Sequence, residues 1–455
     1  MKTEDIVTKL ATAPAKALED AIVGSERALT SFNKPLHEAE DYWHAVGPGL
    51  TTGASDDDPS GIATYSQTGA RFGYMFTWLA LFTFPLMATI QEMCARIGLA
   101  TGRGLAANIR LNYSKHIVWF LAGILFFTNT FNLGADLGAM SKAAQLIFPD
   151  ANFVVMLLIF TVVSLGLQIF VTYSGYARFL KYLSFVLLLY IATALSLEAL
   201  PWKEIWLSTV IPHFTWTKES FIIVTAILGT TISPYLFFWQ TSQEVEERRM
   251  KGKINIKLRH QSLQKKEVRK MRFDVWVGMF FSNLVMFFVI VTCAAVLFPQ
   301  GIEVNTAEDA ARALLPLAGA QAYTLFALGI IGTGLLAVPV LAGSAAYALA
   351  ESFHWSFGLN RGLKHAQAFY GVIIIAMVIG FGLNLVGINP IKALIWSAVL
   401  NGIVAPIILF FIVRISSDKD VMGKWASGLW SKSMGYISLV LMTVAAVGAI
   451  YSMFA

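Results

Sequence analysis

The sequence predicts an all-α integral membrane protein of about eleven transmembrane helices, organised as an inverted repeat of two five-span units with one further span. Three observations carry this expectation. Hydrophobic residues make up 56% of the 455 positions and charged residues only 14%, an apolar excess over soluble compositions. Runs of roughly 20 apolar residues, long enough to cross about 30 Å of hydrocarbon, recur through most of the chain. Finally, proline-containing polar stretches interrupt the first and sixth runs, and broken helices in corresponding halves mark the central site of many transporters.

The elements follow in order. Residues 1–42 mix charges throughout and lack the apolar core of a signal peptide, so they read as a cytosolic, partly helical arm. The first span runs from Trp43 to Gln67, a short turn from Gly69 to Gly73, and the second span from Tyr74 to Ala100. The third covers Ile117 to Phe148, the fourth Val154 to Thr172 and the fifth Tyr182 to Leu197, closing a unit at 43–200. The sixth begins near Phe221, breaks at Ser233-Pro234 and resumes through Trp239. Spans seven to ten occupy Val275 to Phe298, Ala320 to Ala350, Phe369 to Leu385 and Ile391 to Val413, within a second unit at 201–414. A linker and the eleventh span, Tyr436 to Phe454, fill 415–455. Cys94 and Cys293 both lie in apolar runs and read as small buried hydrophobes, so no disulfide is implied.

Charge sets the expected orientation, because short cytoplasmic loops carry excess Lys and Arg. With the N-terminus inside, the inner loops hold Arg103, Arg110 and Lys115; Arg178 and Lys181; Arg361 and Lys364; and Arg414, Lys419, Lys424 and Lys432. The loop at 244–272 holds eleven Lys and Arg and should be cytoplasmic, in contact with lipid rather than nucleic acid. Eleven spans then leave the C-terminus extracellular. The expected partners are divalent ions and the bilayer, with no obligate protein partner.

The first break, Ser55-Asp56-Asp57-Asp58-Pro59-Ser60-Gly61, sets three carboxylates inside a span, where ionisable groups are costly and face a cavity or pathway. Each break frees backbone carbonyls at the negative end of a half-helix, which attract cations. The expected ligands are all oxygens: the Asp58 carboxylate, carbonyls near Ser55 and Asp56, and the carbonyls of Thr230 and Thr231. Against this stands a plain structural role, with Asp58 capping a half-helix that Pro59 begins. Asp136 and Lys142 in the third span read either as functional groups or as an internal ion pair. Glu92 and Arg96 read as a structural pair, and Asn401 as a polar contact between helices.

Gly47-Pro48-Gly49, Asp58-Pro59-Ser60-Gly61, Arg71-Phe72-Gly73-Tyr74, Ala95 to Arg103 and Gly229 to Pro234 together resemble the Nramp divalent-metal transporters over nearly the whole chain except its N-terminal arm. The resemblance implies a LeuT-like fold with alternating access. It also implies that Asp58 is a metal ligand, that the Thr230 carbonyl contributes, and that Gly61 and Ser233 stand where the family has an Asn and a Met. Tyr235 replaces the family's His, and Asp136-Leu137-Gly138-Ala139 keeps the Asp but not the Glu of the third-span pattern.

These departures resemble the Nramp-related magnesium transporters. An oxygen-only site suits hard cations such as Mg²⁺, which keep several waters, while Mn²⁺ remains acceptable. The expected metal site is Asp58, Gly61, Thr230 and Ser233, with Asp57 and Asp56 enriching cations nearby, and the divalent ion is cargo rather than a cofactor. Loss of the His and Glu predicts uptake driven by the membrane potential without proton coupling. The alternatives are a proton-coupled Mn²⁺ or Fe²⁺ transporter, an organic-solute carrier of the same fold, and a membrane receptor or scaffold. No nucleophile–base constellation or phosphate loop suggests an enzyme.

Overall fold

The computed structural model describes residues 48–171, 187–197, 200–250 and 263–454. The arm at 1–42, Arg178, Lys181 and the basic stretch 251–262 lie outside them. The described residues are helical: α1 (Pro48–Asp56), α2 (Pro59–Phe72), α3 (Trp78–Thr101), α4 (Leu105–Asn112), α5 (Lys115–Ile147), α6 (Phe153–Phe170), α7 (Leu188–Ser196), α8 (Trp202–Val210) and α9 (Lys218–Thr231). It continues with α10 (Pro234–Met250), α11 (Lys265–Val296), α12 (Ala307–Arg312), α13 (Leu315–Ala318), α14 (Ala322–Phe353), α15 (Gln367–Asn384), α16 (Pro390–Ser417), α17 (Lys419–Met422) and α18 (Leu429–Phe454).

Among the described residues nine helical stretches are long and apolar enough to cross a membrane, against the eleven expected. The two expected spans outside that set are the first, whose halves α1 and α2 meet at Asp56, Asp57 and Asp58, and the fifth, of which 182–186 lie outside the described residues.

Three boundaries differ from the sequence reading. Residues 69–72 are the last turn of α2 rather than a loop, and the chain turns at Gly73, whose φ of 58° suits glycine. Helix α10 runs on to Met250, and α11 starts at Lys265, ten residues before the expected span. Both extensions are rich in charge, and hydropathy reports burial in lipid rather than helicity.

The long helices α5 and α14 pack along each other, while α1 and α2 both lie against α11, α9 against α16, and α10 against α3. Small residues permit the closest approach: a Cβ on Gly49 would fall 2.6 Å from the Val275 backbone nitrogen of α11, and one on Gly53 would strike Gly278. The rim helices show single buried stripes. In α6 these are Leu157, Thr161, Ser164 and Gln168, and in α18 Gly435, Ser438, Met442, Ala445, Ala446 and Ala449. Their other faces carry exposed Val, Leu and Ile, as lipid-facing helices do. Cys94 and Cys293 are buried free thiols.

Candidate functional site

The two helix breaks share one chemical cause. Proline lacks an amide hydrogen and disfavours the helical conformation in the residue before it, so Pro59 and Pro234 each start a new half-helix. Each also orphans the carbonyl four residues earlier, that of Ser55 in α1 and that of Thr230 in α9. Both carbonyls are met by hydroxyls. The Tyr235 phenol of α10 donates to the Ser55 carbonyl at 3.2 Å. The Ser233 hydroxyl donates to the Thr230 carbonyl and, at 2.8 Å, to that of Gly229.

The residues just before the two prolines act in opposite directions. Asp58, an acceptor, caps α2: one carboxylate oxygen accepts from the Gly61 amide and the Ser60 hydroxyl, each at 2.7 Å. Ser233, a donor, turns back to the carbonyls at the end of α9. The second Asp58 oxygen accepts from the Asn132 side-chain amide of α5 at 3.1 Å, and the Asn132 oxygen accepts from the Ser397 hydroxyl of α16 at 2.7 Å. Asp58 is 1% exposed and Asn132 0%. A buried carboxylate with three donors is held in one position, so the capping role is real, and it aims the charge into the middle of the bundle.

The three consecutive acids diverge. The Ser282 hydroxyl of α11 lies 2.5 Å from an Asp56 oxygen and 3.3 Å from an Asp57 oxygen. Asp56 and Asp57 thus face α11, whereas Asp58 faces α5. Among the described residues no group of three or more His, Cys, Asp or Glu side chains is arranged to hold a metal.

The structure does bring Asp58, Gly61, Thr230 and Ser233 into one neighbourhood, linked by a residue the sequence reading missed. Tyr65, fully buried one turn beyond Gly61, accepts a hydrogen bond from the Thr230 hydroxyl at 3.2 Å. Its signal was available, because positions 58, 61 and 65 share a helical face. Asn132 had a weaker one, lying one turn before Asp136. Ser282 and Ser397 carried none, being contributed by remote segments.

Asp136 is fully buried, and neither of its oxygens has a hydrogen-bond partner among the described residues. It does not pair with Lys142, which is exposed, donates to Gln145 at 3.0 Å and lies over the Phe153 ring. Six residues of helix put the two side chains on different faces. Asn401 departs from expectation as well, since both its amide atoms are buried without a hydrogen-bond partner among the described residues. Glu92 and Arg96 do pair, at 3.5 Å, and Arg272 joins Glu92 at 2.9 Å.

The sequence profile of the Natural resistance-associated macrophage protein-like (Nramp) family matches residues 49–452. The chain belongs to the Nramp family. Among its relatives is the divalent metal cation transporter MntH of Clostridium acetobutylicum, 25% identical over 405 residues that cover 86% of this chain and 87% of the relative. The MntH of Klebsiella pneumoniae is 25% identical over 410 residues, covering 87% and 91%. Among solved structures, the Eremococcus coleocola manganese transporter in complex with an aromatic bis-isothiourea substituted compound superposes with a TM-score of 0.71 at 17% identity, covering 89% of this chain and 86% of that one. MhsT in complex with L-phenylalanine superposes with a TM-score of 0.57 at 12% identity, covering 89% and 98%. These likenesses establish the LeuT-like fold of this Nramp chain, with its broken first and sixth spans at the centre.

Proposed function

We propose that this Nramp-family protein carries divalent cations by alternating access, takes up Mg²⁺ with Mn²⁺ as a second substrate, and runs on the membrane potential without moving protons. One observation carries the reading: at the helix breaks the groups on offer are the Asp58 carboxylate, the Ser233 hydroxyl and the Thr230 carbonyl, while position 61 has no side chain. Oxygen donors select hard cations, and Mg²⁺ sheds water reluctantly, so a single carboxylate with neutral oxygens and room for water suits it. Asp58 is the principal ligand, Ser233 and the Thr230 carbonyl bond the ion or its water, and Asp57 and Asp56 raise the cation concentration beside it.

The membrane potential contributes about 2.3 kcal/mol per charge per 100 mV, or roughly twice that for a divalent ion. Uptake in that direction goes with the N-terminus and the basic loop at 244–272 in the cytoplasm and the C-terminus outside. The two units at 43–200 and 201–414 rock around the site.

Asp136 favours a second reading, proton-coupled Mn²⁺ uptake. A buried carboxyl with both oxygens unpartnered suits a group that takes up and releases a proton.

Flux into proteoliposomes under an inside-negative potential, with internal pH recorded in the same vesicles, tests the two. The first reading expects Mg²⁺ entry without acidification. Mn²⁺ entry with acidification and no Mg²⁺ entry would replace it with the second.

A further inference from the structure

We propose that the phenol oxygen of Tyr65 is a specificity-determining contact for the transported ion, standing in for the side chain that position 61 lacks. This rests on the reading that a divalent ion is carried at Asp58. A Cβ placed on Gly61 would lie 3.4 Å from the Tyr65 hydroxyl oxygen and 3.4 Å from an Asp58 carboxylate oxygen. The phenol and the carboxylate thus border the same small gap, on one face of α2. The phenol is also the group that joins this gap to the other break, through the Thr230 hydroxyl at 3.2 Å.

The chemistry follows from which atoms are already engaged. The Thr230 hydroxyl bonds both the phenol oxygen at 3.2 Å and the Ile227 carbonyl at 3.0 Å, and whichever hydroxyl donates, the phenol oxygen keeps at least one lone pair to meet a water or an ion. A neutral oxygen at this place suits a cation that keeps its waters, because water bound to a metal is a strong hydrogen-bond donor and needs acceptors around it. The ring has a second effect. The same Gly61 Cβ would stand 3.3 Å from ring atom Cε2, a tight contact, so a side chain at position 61 would have to push the Tyr65 ring aside by a few tenths of an ångström. Glycine at 61 and tyrosine at 65 are therefore one device: the ring crowds any side chain at position 61, and the hydroxyl supplies a more distant oxygen.

The test uses the full chain in proteoliposomes, with Mg²⁺ and Mn²⁺ uptake measured over a concentration series. Tyr65→Phe keeps the ring and removes the oxygen. It should raise the KM of the ion that the wild type moves by about 5- to 10-fold, as loss of one buried hydrogen bond implies, and lower the Mg²⁺ to Mn²⁺ ratio. An unchanged KM and ratio overturns the proposal, even where Vmax or the melting temperature falls, since that pattern leaves Tyr65 a purely structural partner of Thr230. A second pair of variants tests the ring. Gly61→Asn alone should lose uptake of both ions, and Gly61→Asn/Tyr65→Ala should recover Mn²⁺ but not Mg²⁺; a fully active Gly61→Asn overturns the proposal. A wild type that moves Mn²⁺ but not Mg²⁺ removes the magnesium reading, and the Tyr65 result is then read on the Mn²⁺ KM. A wild type that moves neither ion overturns both.

Discussion

Buried carboxylates occur in two regions of this molecule, and they are treated differently. At the end of the bundle where α3, α10 and α14 terminate, each is surrounded by donors. Glu246 accepts from the Tyr347 hydroxyl at 2.6 Å, the Leu359 amide at 3.1 Å and the Asn360 side chain at 2.9 Å. Glu351 accepts from the Ala107 amide of α4 at 3.1 Å and the Ser242 hydroxyl of α10 at 3.4 Å. Glu92 takes Arg272, Arg96 and the Trp276 indole. Around the helix breaks Asp58 is likewise held by three donors, but among the described residues one Asp56 oxygen and both Asp136 oxygens are buried without a partner. Burying an acceptor without a donor is costly. The first region uses its acids to lock helices and the loop at 355–366 together; the second leaves acceptor capacity for something that arrives and departs.

Three substitutions would break or sharpen that contrast. The largest effect is expected on transport: Asp58→Ala should abolish divalent uptake, and because it also strands the buried Ser60 and Asn132 donors beside the lost α2 cap, it should cost about 2 kcal/mol or more of stability. Radiotracer or fluorescent flux together with a thermal melt separates the two, and uptake at the wild-type rate would dismiss Asp58 as the site. Next comes Glu246→Ala, which strands three donors beneath the loop at 355–366. Only the Tyr347 hydroxyl is fully buried, with Leu359 half-buried and Asn360 exposed, so at about 1–3 kcal/mol for an unsatisfied buried group the expected loss is about 1–3 kcal/mol, read as a fall in melting temperature in detergent. A melt unchanged from wild type would mean that water replaces the carboxylate at no cost. The smallest stability effect belongs to Asp136→Asn. With no partner to lose, the variant should melt within about 0.5 kcal/mol of wild type or slightly above it. Marked destabilisation would show that Asp136 has a structural partner after all.

Much of the fold was legible in the sequence because bilayer thickness and the chemistry of proline are local constraints. Trp78–Thr101, Phe153–Phe170 and Gln367–Asn384 follow from apolar run length, and both breaks follow from Pro59 and Pro234. The misses have equally local reasons. Gly69 signalled a turn, yet its missing side chain serves the approach of α2 to the backbone of α11 at Ile290. The charged starts of α11 and ends of α10 concealed helices that extend past the apolar run. At the site Asp58 announced itself as a charge in a span, whereas Asn132, Ser282 and Ser397 are ordinary polar residues until the fold carries them to the acids. Tyr65 was hidden for a different reason: an aromatic in an apolar run reads as packing until its hydroxyl is seen beside Gly61.

The proline at the first break has a mechanical consequence. Pro59 has no amide to offer α1, the Gly61 amide turns to the Asp58 side chain, and the Ile62 amide bonds the Asp58 carbonyl. The main-chain ladders of α1 and α2 therefore end on either side of the joint. A change of angle there would exchange the Tyr235 contact with the Ser55 carbonyl for contact with water, and neither half-helix would have to unwind. Such a joint would act as a bearing, its friction set by a few hydroxyls and its stiffness by two intact rods.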